Sequence, residues 1–378
     1  MCDEGTGFPA RGGSGSSRRL GCVLPRPTVI LAALWTLGIG CGNGSDGPAD
    51  LDASPWRADP EPTGQTDNRD ALSHADDGFR SDDQVPGDRD AFPPDQSGEI
   101  ADLSCPAFAE SAVVATVTAQ ELREVSGLAA SRRHRDILWA LNDSGSGPRI
   151  YALGLDGQLK GRFDLEGVEA RDWEDIDRGP LEGLEGDAIF VADVGDNDRQ
   201  RPFVTVHVVE EPSNLQMDPA GTLPVAVSMR LAYPGGPEDC EAIFVDPVDG
   251  SLYLVTKTGL DGGLNPVYRK APPHATSTTP TILQEVARIP SLVATGASLS
   301  EDGSVLVVRN PFHGVLYRRG KGQSLEQTLA TTPCELPLFV DEPTGEAIAM
   351  APGGTGFWSL SEFGSTSRQD LHWTALTW

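Results

Sequence analysis

From about residue 105 onward the chain alternates short, strongly apolar runs with clusters of Gly, Pro, Asn and Asp, the texture of β-strands joined by tight turns. Five segments share one pattern: a carboxylate or small polar residue, a short apolar strand, an acidic or glycine turn, and a second strand that closes in polar residues. They read EVSGLAAS then DILWALNDSG from Glu124; EDIDRG then DAIFVADVGDN from Glu174; EAIFVDPVDG then SLYLVTKTG from Glu241; TGASLSEDG then SVLVVRN from Thr295; and EAIAMAPGG then TGFWSLSEFG from Glu346. The starts are spaced by roughly 50 to 67 residues, which suits a four-stranded blade with its loops. Two further β-like runs complete a unit, as RIYALGLDG and QLKGRFDL do in the first and PVYRKAPP and TILQEVARIP in the third. The fifth unit has only LHWTALTW left, while a spare strand, AVVATVTA, precedes the first. Pairing the spare strand with the last unit closes the ring and removes two open sheet edges. The pattern therefore predicts an all-β fold: a β-propeller of five blades of four antiparallel strands, closed by an N-terminal strand. A sixth blade hidden in the long second unit is the alternative.

A propeller gathers the polar residues that bracket each hairpin. In an antiparallel hairpin the start of the first strand and the end of the second lie on the same side. With the first strand innermost, these residues meet at one mouth of the axial channel. The strand starts bring Glu124, Glu174, Glu241, Thr295 and Glu346, with Asp172, Asp175, Glu238 and Asp239 beside them. The strand ends bring Asn142, Asp143, Asp193, Asp196, Asn197, Lys257, Arg309 and Glu362.

Composition sharpens this. Gly 43, Pro 30 and 38% hydrophobic residues suit short strands and many turns. The 56 acidic against 29 basic residues, a net charge of -27, argue against a nucleic-acid partner, since such a surface repels phosphate backbones. The acidity extends into the repeat region. Four equivalent carboxylates, Glu124, Glu174, Glu241 and Glu346, drawn to one axis repel one another unless a cation or a proton intervenes. Calcium fits the oxygen-only donor set better than zinc, because the six His fall outside the repeat motifs. The other reading is that these glutamates hydrogen-bond neighbouring blade backbones. Lys257 and Arg309 are the mouth's two cations, placed either to orient an anion or to balance the carboxylates. No G-x-S-x-G occurs, which disfavours a serine hydrolase.

The N-terminal region carries different signals. Arg18, Arg19 and Arg26 precede the apolar run Val29 to Ile39, the length of a signal h-region and too short to span a bilayer. It ends at Gly40-Cys41, similar to a lipobox, so residues 1–41 are read as a lipoprotein signal with Cys41 the lipidated residue; a plain cleaved signal or an uncleaved anchor is the alternative. Gly42, rather than Asp, follows the cysteine, which points to the outer membrane or cell surface. Residues 42–104, rich in Asp, Gly, Pro and Ser, have too little apolar surface to offset the entropy of ordering and read as an extended tether. The propeller is assigned to residues 105–378. Beyond the leader, Cys105, Cys240 and Cys334 remain, an odd number. A pairing of Cys105 with Cys334 is left open, and Cys240 reads as a small buried thiol.

The runs EVSGLAAS, LWALNDSG, RDWEDI, VADVGDN, YPGGPEDCEAIFVD, LYLVTK and GEAIAMAPGGTGFWSLSE resemble a family of secreted bacterial β-propeller lipoproteins across residues 120–365. The strand-opening Glu pattern is more distantly similar to the calcium-activated nucleotidases and to the phytase-related, esterase-like propellers. The resemblance implies calcium at the channel, bound by acidic residues. The chain departs from the phytase pattern in blade count and in lacking a Lys/Arg cradle for a polyphosphate. These readings converge on an exported, monomeric, calcium-binding propeller at the cell envelope, a binding or scaffold module for an anionic small molecule or an envelope partner. The alternative is a calcium-dependent hydrolase of an anionic phosphate or carboxylic ester, with Glu174 or Glu241 as base and Lys257 and Arg309 holding the anion.

Overall fold

The computed structural model describes residues 103–378, apart from 144, 218–219, 259–262, 291–292, 338, 340–341, 343 and 364–367. The expected signal with Cys41, and the expected tether except its last two residues, lie outside the described residues.

Five sheets form, each a blade. Blade 1 is Val125–Ala130, Ile137–Asn142, Arg149–Gly154 and Leu159–Leu165; blade 2 is Trp173–Pro180, Asp187–Asp193, Val204–Glu210 and Val225–Ala232. Blade 3 is Cys240–Val245, Leu252–Thr256, Asn265–Lys270 and Gln284–Ile289; blade 4 is Gly296–Leu299, Val305–Arg309, Gly314–Arg318 and the short Cys334–Glu335. Blade 5 is Gly345–Met350, Gly356–Ser361 and Asp370–Thr377. The chain is a five-bladed β-propeller: the first strand of each blade packs against the first strands of both neighbours, closing a ring.

The hydrophobic pattern explains why the strands read as nearly continuous apolar runs. Successive side chains of a strand face opposite sides of its sheet, and here both sides are covered by other blades. In Ile137–Asn142, the side chains of Ile137, Trp139 and Leu141 join a cluster with Trp173, Ile189 and Val191 of blade 2. Leu138 and Ala140 face the other way, into a cluster with Ala347, Ala349 and Leu360 of blade 5. Three more clusters fill the joints between blades 2 and 3, 3 and 4, and 4 and 5.

Closure follows the expected scheme. Ala112–Thr116 pairs antiparallel with Asp370–Thr377, and Ala107–Phe108 pairs further along the same strand. Cys105 and Cys334 form a disulfide spanning 229 residues, which fastens the closing segment to blade 4 as well. Cys240 is a free, buried thiol.

Two edges differ from the sequence expectation. The long second unit holds no sixth blade; within its loop, Gly221–Leu223 lies parallel to Leu159–Leu165 as an outer strand of blade 1. In the third unit, Ser277–Ile282 crosses to the outside of blade 2, parallel to Val225–Ala232, and Gln284–Ile289 alone is the fourth strand of blade 3. No helix among the described residues is long and apolar enough to cross a membrane.

Candidate functional site at the channel mouth

The mouth is built by a repeated irregularity. In blades 1, 2, 3 and 5 the pairing of the first two strands slips by one residue near the start of the first strand, between Val125 and Gly127, Trp173 and Asp175, Cys240 and Ala242, and Gly345 and Ala347. The bulged residues are Ser126, Glu174, Glu241 and Glu346. A bulge leaves one residue outside the ladder and re-aims its side chain. Blade 4 pairs regularly from Gly296 to Arg309 and contributes no such residue.

This register corrects the expectation of four equivalent glutamates. Glu124 precedes the first strand of blade 1 and is exposed; the position matching Glu174, Glu241 and Glu346 is held by Ser126. The reason lies in strand register: VSGL aligns with WEDI, CEAI and GEAI, and a match on residue type alone selects Glu124 two places too early. Gly127 lets the strands of blades 1 and 2 approach, since a Cβ there would stand 2.7 Å from the Ile176 nitrogen.

Asp143, Asp172 and Glu174 form the densest group, each with one carboxylate oxygen within 4.8 Å of the others'. Gly195 backs it: a Cβ at that position would stand 2.2 Å from Glu174 Oε1 and 2.6 Å from Asp172 Oδ2. Glu174 is buried and accepts a long hydrogen bond, 3.4 Å, from Ser126 Oγ. Burial first, then Glu241, Asp143, Asp172 and Glu346, push its carboxyl well above the usual range. Burial also raises Asp172, helped by Asp143. Glu346 is pushed up to about 8 by burial, Glu362 and Glu241, and Glu362 to about 7 by burial, Asp143 and Glu124. Asp143 acts on all of these groups and on Glu241, so it sits centrally among them.

Glu241 differs because Lys257 Nζ contacts its Oε1 and lies 3.3 Å from Asp239 Oδ2. Burial opposes the ammonium charge, but Glu241 and Asp239 outweigh it and raise the lysine. Burial lifts Glu241 while Lys257 pulls it back. The contact is that of ammonium with carboxylate, and we take the pair as ionised.

Several expected mouth residues serve the scaffold instead. Asp175 is 0% exposed and accepts from the N–H groups of Ile243 and Ile176, bridging the first strands of blades 2 and 3, which share no ladder. Asp193 accepts from the N–H groups of Arg171 and Asp172 and pairs with Arg201 at 2.8 Å. Asp196 accepts from the N–H groups of Gln200 and Arg201, and its own N–H donates to Asp239. Asn197 is exposed, 3.5 Å from Lys257 Nζ. Asn142 Nδ2 donates to the Glu121 carbonyl and to Ser146 Oγ, which leaves Oδ1 buried without a hydrogen bond.

Arg309 is the clearest departure. It is 0% exposed, pairs with Glu342 at 2.8 Å, donates to the Ala347 carbonyl and lies over the Phe339 ring. A guanidinium so enclosed cannot hold a ligand at the mouth. Sequence reasoning missed its partner Glu342 because that residue lies outside the repeat motif; it likewise missed Ser126, Gly195 and Arg201.

The fold and the mouth together define a class: a five-bladed propeller whose axial opening is lined by oxygen donors. The donors suit a hard cation, and His134, His207, His274 and His372 all bond elsewhere. No protein-family profile matches the chain, and no curated protein matches it. Among solved structures it is similar in fold to a luciferin-regenerating enzyme (TM-score 0.40, 9% identity, covering 72% of this chain and 97% of that one). It is also similar to U3-55K (TM-score 0.34, 15% identity, 67% and 68%) and to hydrazine synthase from Kuenenia stuttgartiensis (TM-score 0.33, 10% identity, 65% and 82%). At these scores the likeness carries nothing about activity.

Proposed function

We propose that the propeller is a calcium-binding module, holding the ion at its mouth through Asp143, Asp172 and Glu174, with Glu241 and Glu346 as outer carboxylates. The carrying observation is the convergence of three carboxylate oxygens within 4.8 Å against the bare backbone of Gly195. Negative charge gathered in a partly desolvated mouth calls for a counter-cation, and all-oxygen donors favour calcium. A ligand that binds only the folded state stabilises it by about 2.7 kcal/mol at a hundredfold excess over Kd. Millimolar calcium should therefore raise the melting temperature by several degrees over chelator, with magnesium doing less because it gives up its waters reluctantly. Equal melting in both, together with metal-free purified protein, would reject the reading.

Hydrolysis of an anionic ester has less support, since Arg309 is enclosed and Lys257 is engaged by Glu241 and Asp239. The disulfide suits an oxidising compartment, and export with lipid attachment at Cys41 would place the module at the cell envelope. Cys41→Ala should then release the protein from membranes into the soluble fraction; continued membrane retention would refute the anchor.

A further inference from the structure

Lys257 directly follows the second strand of blade 3, and its backbone N–H donates to the Asp239 carbonyl at 2.7 Å, which fixes the root of the side chain beside that blade's bulge. Its ammonium stands among three side-chain oxygens: Glu241 Oε1 in contact, Asp239 Oδ2 at 3.3 Å, and Asn197 Oδ1, from the loop after blade 2's second strand, at 3.5 Å. Glu241 and Asp239 are 5% and 4% exposed, and Asp239 Oδ1 is held by the Asp196 N–H at 3.0 Å. An ammonium has three donors and no acceptor, so the three oxygens match it in number and in sense.

The side of the mouth formed by blades 1 and 2 differs. Asp172 and Glu174 form no ion pair among the described residues, because Arg201, the cation that acts on Asp172, is taken by Asp193 at 2.8 Å. The mouth is therefore neutralised on one side by a cation that is part of the chain, and on the other it is not. Carboxylate and amide oxygens such as those around Lys257 are also what calcium takes as ligands. A cation carried on the chain loses no translational freedom on seating there, and its charge repels an ion from the same space.

We propose that Lys257 sets how many divalent ions the mouth accepts: its ammonium fills the blade 3 side, and calcium is confined to one ion at Asp143, Asp172 and Glu174. The inference rests on the calcium reading above. It is tested by counting calcium per chain, by calorimetric titration and by metal analysis after dialysis. The unaltered chain should take up one ion. Lys257→Met keeps the aliphatic stem without the charge and should take up two, the second being lost again when Glu241→Gln is added. Lys257→Arg keeps the charge and should stay at one. Lys257→Gln repeats the test if the Met variant does not fold. One ion in the unaltered chain and still one in the uncharged variants would overturn the proposal, even if that ion bound more tightly, since loss of any nearby positive charge strengthens cation binding. Two ions in the unaltered chain or in Lys257→Arg would overturn it as well. No ion in the unaltered chain would reject the calcium reading, and this inference with it.

Discussion

Single carboxylates at the mouth set how stability responds to pH. Glu346 is pushed up to about 8 and Glu362 to about 7, against an ordinary 4.5, while Glu174 is also raised. A carboxyl whose pKa is higher in the folded state favours folding below its unfolded value and loses that contribution as pH rises through the folded value. Buried His207 and His274 act in the opposite direction, since burial lowers them from 6.5 and folding gains as they become neutral. A comparison between pH 7 and pH 9 avoids their range. In chelator the melting temperature should fall over that interval, by an amount worth on the order of 1 kcal/mol. Glu346→Gln should flatten the fall and raise the melting temperature at pH 9; a flat or rising profile for the unaltered protein would contradict the raised carboxyls. Which residues take part was only partly visible in the chain. Glu174, Glu241 and Glu346 stand out because the same charge recurs at the same place in the repeat. Ser126 does not, because it matches them in strand register rather than in charge.

At the level of strands and loops, the legible parts were those buried on both faces. Ile137–Asn142 or Val305–Arg309 can only be inner strands, because such runs of apolar residues need cover on two sides. Ser277–Ile282 is mostly polar and largely exposed at a sheet edge, so nothing in its pattern says which blade it joins. The end of a strand is ambiguous in another way. Arg309 closes its strand as Lys257 follows its own, yet one is enclosed and the other reaches the mouth. The difference is the presence of Phe339 and Glu342, whose ring and carboxylate enclose the guanidinium. Removing one partner of a buried ion pair leaves the other uncompensated, at about 3–5 kcal/mol. Arg309→Leu should lose that much stability in urea unfolding, and Arg309→Leu with Glu342→Leu should recover most of it. A single variant as stable as the unaltered protein would show that the pair does not lock blade 4 to blade 5.

For the whole molecule, the critical step is joining the two ends of the ring. The spare strand made closure legible, because an unmatched strand before the first unit and a missing one in the last answer each other. The cysteines left the fastening open, since three thiols permit more than one pairing and sequence spacing does not decide among them. The closing segment is held at two places: Ala112–Thr116 is laddered to blade 5, and Cys105 is bonded to Cys334 on the outer strand of blade 4. Blade 4's outer strand is only two residues long, so the covalent link reinforces a joint with few ladder bonds of its own. A cross-link closing a loop of 229 residues restricts the unfolded chain strongly, and loss of such a bond costs about 2–5 kcal/mol. Cys105→Ser with Cys334→Ser should lower the melting temperature by roughly 5 to 15 °C, given about 2–4 °C per kcal/mol for a domain this large. Because the ladder with blade 5 remains, the variant should still fold, and loosening should begin at the closing segment. Limited proteolysis should cut first between residues 103 and 118 in the variant and not in the disulfide-bonded protein. Unchanged melting and an unchanged cleavage pattern would mean that hydrogen bonding to Asp370–Thr377 closes the ring by itself.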